Sequence, residues 1–171
     1  MTDYIEQWFY DITLVSRLPY PTDLERPPCM TDGISAWQRR WRAWRPDPRP
    51  RDCCWFHSGN WHEASEHAMA MIDGISLERV DDGISPFSPV RDRLRAAGLT
   101  GWMHEAVRSL TCGGEPINYG DTSVWQDPDA EPGYVGGRHR ALAMMQQGVR
   151  TTVTMRFELL DPETRQIIIF N

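Results

Sequence analysis

The residues best suited to chemistry in this sequence lie at the start of one predicted helix. A short apolar strand ends in two glycines, and the first turn of the helix then carries three basic side chains. A helix start offers free backbone N–H groups and the positive end of the helix dipole, and glycines let a ligand approach the backbone. This pattern is typical of a phosphate site. The residues concerned are Gly136, Gly137, Arg138, His139 and Arg140.

A simpler interpretation of the same turn stays open. Two glycines also make a tight turn with no ligand, and the arginines can point into solvent. Against this, cationic side chains at a helix N-terminus are unfavourable by about 0.3–1 kcal/mol each, and an anion would offset that cost.

The elements around the turn are predicted to hold it in place. A strand over 116–125 and an acidic turn over 126–132 lead into the glycines as a hairpin. The helix over 138–147 ends at Gly148, and strands are predicted over 151–157 and 166–170. Upstream, one or two helices are expected between Pro89 and Leu110, with breaks at Gly98 and Gly101 and a cap at Thr100.

Composition narrows the function classes. The 171 residues are 40% apolar and 25% charged, which indicates a soluble globular protein of one domain, and no apolar run is long enough for a membrane helix. We expect a cytoplasmic location. All 18 basic residues are arginine, so mechanisms that need a lysine are excluded. The net charge of −6 makes duplex DNA an unfavourable partner.

The N-terminal half has two features of its own. A strand is predicted from Trp8 to Ser16, and a helix from Ser35 to Arg45 has tryptophans spaced on one face, at 37, 41 and 44. We favour a helix that packs through these tryptophans. An aromatic and arginine surface for nucleic acid, a phosphate ligand or a protein partner is the alternative.

A third stretch contains three of the five histidines. A helix is predicted from Trp61 to Ile72, capped by Ser58 or Asn60. A zinc site can be drawn from four side chains, but the spacing is not that of a helical zinc motif, and exposed His–Glu pairs explain it more simply. No metal ligand is therefore assigned, and free thiols are expected. The four side chains are Cys54, His57, His62 and His67.

Between Val90 and Phe157 the sequence resembles the ParB/sulfiredoxin superfamily. The matching segments are Glu115-Pro116-Ile117, the glycine–basic turn, the alanine-containing helix and Gln147-Gly148-Val149. The resemblance implies an α+β fold in which a small mixed sheet packs against helices. It would give a core over 86–171, and residues 1–85 would form an extension that packs on that core.

The resemblance also implies a nucleotide site. By position, Gly136, Gly137, His139 and Arg140 would hold the phosphates of ATP or CTP with Mg²⁺. Arg138, in the same turn, is added as a cofactor-binding candidate. Candidate catalytic residues are Glu115 and Asp121, as metal-positioning groups or base, and His139 as acid–base. Phosphoryl transfer or nucleotide hydrolysis would then be the activity.

Two departures from the family pattern argue against two of the family's known activities in this chain. Arg138 stands where sulfiredoxins have their catalytic cysteine, so sulfinic-acid reduction is not expected. Residues 148–171 leave room for two strands rather than a partition domain. A non-catalytic nucleotide-sensing or interaction module of a phage or mobile element is the alternative, and DNA binding or nuclease activity is less favoured.

Overall fold

The computed structural model is an α+β fold with four α-helices and two antiparallel two-stranded sheets among the residues it describes. The described residues are 5–22, 24, 27–30, 37, 38, 41, 44–75, 87–112, 116–120, 133–161, 163 and 164. The elements in chain order are β1 (Ile5–Leu14), α1 (Trp61–Ile72), α2 (Ser88–Ala96), α3 (Gly101–Thr111), β2 (Asn118–Gly120), β3 (Gly133–Gly136), α4 (Arg138–Gln147) and β4 (Thr151–Leu160).

The longest ladder pairs the first and last of these strands. β1 runs antiparallel to β4 over ten residue pairs, from Ile5 opposite Leu160 to Leu14 opposite Thr151. Both strands are rich in the β-branched and aromatic residues that favour a pleated surface. The strands predicted here are confirmed, although β1 begins earlier and β4 ends later than expected.

The second ladder is the hairpin expected before the glycine turn. β2 pairs with β3, with an irregularity between Asn118 and Tyr119. A backbone hydrogen bond from Met155 N to Ile117 O, 2.8 Å long, joins this ladder to β4. Within the described residues the strands form these two ladders, and the small mixed sheet implied by the resemblance stays a prediction. The strand expected over 166–170 lies outside the described residues.

Helix α1 has the predicted bounds, and Asn60 is its N-cap. The Asn60 side-chain oxygen accepts hydrogen bonds from the backbone N–H groups of His62 and Glu63, at 3.1 and 3.4 Å. α2 and α3 are separated near the glycines, as expected. Thr100 is the N-cap residue of α3, as predicted, but its side chain makes no cap hydrogen bond.

Helix α4 is largely buried in the core. It has the predicted bounds, and seven of its ten residues are buried, including the polar Arg140, Gln146 and Gln147. One continuous apolar core contains residues from both halves of the sequence, for example Met30, Trp61, Leu110 and Leu142. No helix among the described residues is long and apolar enough to cross a bilayer.

The tryptophan-containing segment differs from expectation. Residues 37, 38, 41 and 44 are helical, and the rings of Trp37 and Trp41 stack with centroids 6.3 Å apart. The three tryptophans are not packed inward: Trp37 is 70%, Trp41 42% and Trp44 74% exposed. The Arg45 guanidinium lies over the Trp41 and Trp44 rings, at 5.4 and 5.5 Å from their centroids.

Gly137 is where the fold depends most clearly on glycine. Its φ is +80°, and an added Cβ would lie 2.5 Å from the Cα of Ile117. Gly74 also has a positive φ, of +65°, but no atom lies within 4 Å of its added Cβ. Gly74 therefore separates the cost of the left-handed conformation from the cost of the clash.

We expect Gly137→Ala to destabilise the fold clearly more than Gly74→Ala. The control substitution costs only the left-handed backbone, roughly 1–2 kcal/mol. The Gly137 substitution adds a backbone clash that only a shift of Ile117 or α4 can relieve. Urea unfolding of both variants measures the difference. Equal losses in the free energy of unfolding would show that Ile117 moves aside at no measurable cost.

Candidate metal centre

Three cysteines and one histidine converge beside the start of α1. Cys29 lies in a turn closed by the hydrogen bond from Met30 N to Pro27 O, 2.9 Å long. The other three side chains come from consecutive turns over 52–59, after the proline-rich segment. Their ligand atoms all lie within 4.8 Å of one another, and the set is Cys29, Cys53, Cys54 and His57.

The distances suit a tetrahedral metal ion. His57 Nδ1 lies 3.5 Å from the sulfur of Cys29, 3.1 Å from that of Cys53 and 3.3 Å from that of Cys54. Zinc bonds sulfur at about 2.3 Å and nitrogen at about 2.0–2.1 Å, so tetrahedral ligands N and S lie roughly 3.5 Å apart. A small inward or outward adjustment of the sulfurs would therefore complete the coordination sphere.

The protonation of His57 follows from its neighbours. Arg51 Nη2 lies 3.0 Å from the side-chain oxygen of Gln146, and an arginine can only donate, so the Gln146 atom has to be the carbonyl oxygen. The same oxygen lies 2.7 Å from His57 Nε2, which must therefore carry the hydrogen and donate it. The lone pair is then on Nδ1, the nitrogen that faces the three sulfurs.

This arrangement matches the usual support of a metal-binding histidine. Such residues donate their second N–H to a carboxylate, a carbonyl or water, which fixes the tautomer and the ring orientation. His57 is 1% exposed and Gln146 2%, so the hydrogen bond between them is shielded from water. The imidazole of His57 is therefore held with its Nδ1 lone pair directed at the three sulfurs.

Burial and the neighbouring cysteines disfavour the thiolate form of Cys29. Burial, followed by hydrogen bonds with Cys54 and Cys53, raises the pKa of Cys29 to about 12. The raised pKa means that Cys29 favours the neutral thiol when no positive charge lies beside it. A divalent metal reverses this preference and deprotonates its thiol ligands.

The segment that carries Cys53, Cys54 and His57 is attached to α4 through two successive glutamines, Gln146 and Gln147. Besides His57 and Arg51, Gln146 binds the loop through its backbone oxygen, which accepts from Asp47 N at 2.8 Å. The Gln147 side chain accepts from Trp61 N at 2.9 Å and donates to Gly59 O at 2.8 Å. The C-terminal end of α4 thus holds both the candidate metal site and the start of α1.

The zinc set drawn from the sequence needs correction. Cys54 and His57 belong to the cluster, but His62 Nε2 donates to the backbone oxygen of Gln147 at 2.9 Å. His67 pairs with Glu63 at 3.9 Å on an exposed face of α1. The set drawn from the sequence did not include Cys29 and Cys53, although Cys53 and Cys54 lie only four and three residues before His57.

The structure places the residues of the predicted phosphate turn in different surroundings. Arg138 is exposed, whereas Arg140 is only 7% exposed. The His139 ring stacks on that of Phe56, with centroids 4.9 Å apart and planes 16° apart. Gly136 and Gly137 are half-buried. Glu115 and Asp121, the candidate catalytic carboxylates, lie outside the described residues.

The comparisons with known proteins found no relatives. No protein-family model, no curated protein and no solved structure matches the chain. The ParB/sulfiredoxin resemblance therefore stays a prediction, and the function has to be argued from this chain's own geometry.

Proposed function

We propose that this chain is a zinc-binding protein in which Cys29, Cys53, Cys54 and His57 hold one Zn²⁺ ion. The observation that carries the proposal is the fixed tautomer of His57. Its Nε2–H is committed to the Gln146 carbonyl, and its Nδ1 lone pair faces three sulfurs at 3.1–3.5 Å. A buried histidine oriented by packing alone has no reason to meet three thiols in this way.

The donor set favours zinc over other common metals. Three sulfurs and one imidazole nitrogen in a tetrahedral arrangement are typical of structural zinc sites, whereas magnesium and calcium take oxygen ligands. Zn²⁺ with three thiolates has a net charge of −1. Arg51, which donates to Gln146 at 3.0 Å, supplies a positive charge behind the histidine ligand.

The role of such an ion would be structural. Four protein ligands fill a tetrahedral zinc and leave no position for a substrate. The turns around 52–59 are short and contain no helix or strand, so the ion would fix them together with the turn at Cys29. Because Cys29 precedes the tryptophan-containing segment and the other three ligands follow it, the ion would also link the two parts of the chain on either side of that segment.

A second proposal retains the nucleotide site at the start of α4. It is supported by the left-handed Gly137 between β3 and α4 and by the exposed Arg138 in the first helical turn. The ligand would be ATP or CTP with Mg²⁺, within a ParB/sulfiredoxin-like core over 86–171. This site would serve phosphoryl transfer, nucleotide hydrolysis or nucleotide sensing. The tryptophan-rich N-terminal half would then bind a protein partner.

Metal analysis tests the zinc proposal directly. Protein purified without chelator is expected to contain one zinc per chain, and Cys53→Ser combined with Cys54→Ser is expected to lose it. The matched control is Cys112→Ser, because Cys112 is the one cysteine outside the cluster. Zinc well below one per chain in the unaltered protein, or equal zinc in the double variant, would contradict the proposal.

Substitution of Gln146 tests the supporting hydrogen bond. Gln146→Ala is expected to lower zinc affinity by about 10–100-fold, the usual loss when a partner of a ligating histidine is removed. Gln146→Glu keeps an acceptor for His57 and should retain most of the affinity. Gln147→Ala is the control, because Gln147 is equally buried but bonds Trp61 and Gly59 instead of a ligand. Competition with a zinc chelator measures all three affinities.

Thermal unfolding with ATP, CTP and GTP, with and without Mg²⁺, tests the second proposal. A ligand at 100 times its Kd adds about 2.7 kcal/mol to the free energy of unfolding. Arg138→Ala should abolish the shift without harming the fold, since Arg138 is exposed whereas Arg140 is buried. Arg49→Ala is the control at an exposed arginine outside the turn. No shift with any nucleotide would reject the site for these ligands.

A further inference from the structure

A second group of basic side chains surrounds a cavity between α2 and α3. The cavity has a volume of about 350 Å³, and three of the residues that line it are arginines. Its lining consists of Arg91, Leu94, Arg95, His104, Arg108 and Cys112. These residues are separate from both the metal cluster and the first turn of α4.

The spacing of the basic residues brings them to one place. Arg91 and Arg95 are four positions apart on α2, and His104 and Arg108 are four positions apart on α3, so each pair shares a helix face. The two faces meet across the cavity. Leu94 is 3% exposed and Cys112 8%, which gives the cavity apolar residues between the basic groups.

Neighbouring carboxylates only partly neutralise this charge. Asp92 pairs with Arg95 at 2.8 Å, and Glu105 pairs with Arg108 at 2.8 Å and with His104 at 3.2 Å. Three arginines against two carboxylates leave the cavity positive even with His104 neutral. Like charges on one helix face repel, and an anion between the two helices would relieve that repulsion.

The placement is notable because the surrounding sequence is acidic. Residues 61–134 contain thirteen acidic residues and five arginines, and four of those arginines lie on α2 and α3. One of the four, Arg93, donates to the backbone oxygens of Met71 and Asp73 at the end of α1, at 3.0 and 2.6 Å. The other three line the cavity.

We propose that this cavity binds a phosphate group, either of inorganic phosphate or of a small phosphate monoester. Guanidinium groups bind phosphate oxygens in pairs of parallel hydrogen bonds, which makes arginine the usual residue for that ligand. The volume is near the lower end for small-molecule sites, so it suits a compact ligand. Leu94 and Cys112 would contact the apolar part of a monoester. The proposal depends on neither the zinc ion nor a nucleotide at α4.

Titration of the unaltered protein, as purified, provides the test. Inorganic phosphate, glycerol 3-phosphate and glycerol are added separately, binding is followed by calorimetry, and amide shifts are followed by NMR. Saturable binding of a phosphate compound, with shifts on α2 and α3 and none from glycerol, supports the site. Tighter binding of glycerol 3-phosphate identifies a monoester site, and equal or tighter binding of inorganic phosphate identifies a site for free phosphate.

Substitutions locate the binding. Arg91→Gln combined with Arg108→Gln is expected to weaken it by roughly tenfold or more, because charged hydrogen bonds are lost from both helices. Both arginines are exposed, so the fold should be retained, which circular dichroism checks. Arg49→Gln and Arg138→Ala should leave the affinity unchanged. The proposal is overturned if no phosphate compound binds, if the double variant binds equally well, or if Arg138→Ala alone removes binding.

Discussion

The side-chain oxygen of Gln146 joins the candidate metal centre to the buried helix α4. It accepts from His57 Nε2 at 2.7 Å and from Arg51 Nη2 at 3.0 Å, so one atom fixes the histidine tautomer and holds the loop that carries it. A glutamine at this position is 2% exposed, and burial of its amide would be costly without these bonds. The loop and the helix therefore stabilise each other: the loop satisfies the side-chain oxygen of Gln146, and that oxygen orients His57.

The elements predicted correctly from the sequence are those defined by local signals. α4 lies between two glycines, α1 begins after an asparagine cap, and the strands 5–14 and 151–160 are rich in β-branched and aromatic residues. Each of these patterns occupies a few adjacent positions. The metal cluster could be predicted only in part, because Cys29 is far from Cys53 along the chain and only the folded turns bring them together.

Two other outcomes depended on tertiary packing that no local pattern reveals. The tryptophans at 37, 41 and 44 have the spacing of a packing face, yet the structure leaves them in solvent. The basic residues after Gly137 resemble one anion-binding group, yet Arg138 is exposed, Arg140 is buried and His139 stacks on Phe56. Sequence spacing indicates which side chains share a helix face. Only the packed structure shows whether that face contacts solvent or the protein interior.

The pairing of β1 with β4 has a consequence for how the protein can fold. Thr13 and Thr154, whose hydroxyl groups are 2.7 Å apart across this ladder, are separated by 141 positions in the sequence. Contacts this distant in sequence close slowly, since a long loop must be ordered before they form. During synthesis β1 leaves the ribosome well before β4, its partner, and His57 likewise leaves well before Gln146. Until then the backbone N–H and C=O groups of β1 lack their partners in β4, and unpaired strands of this kind favour aggregation.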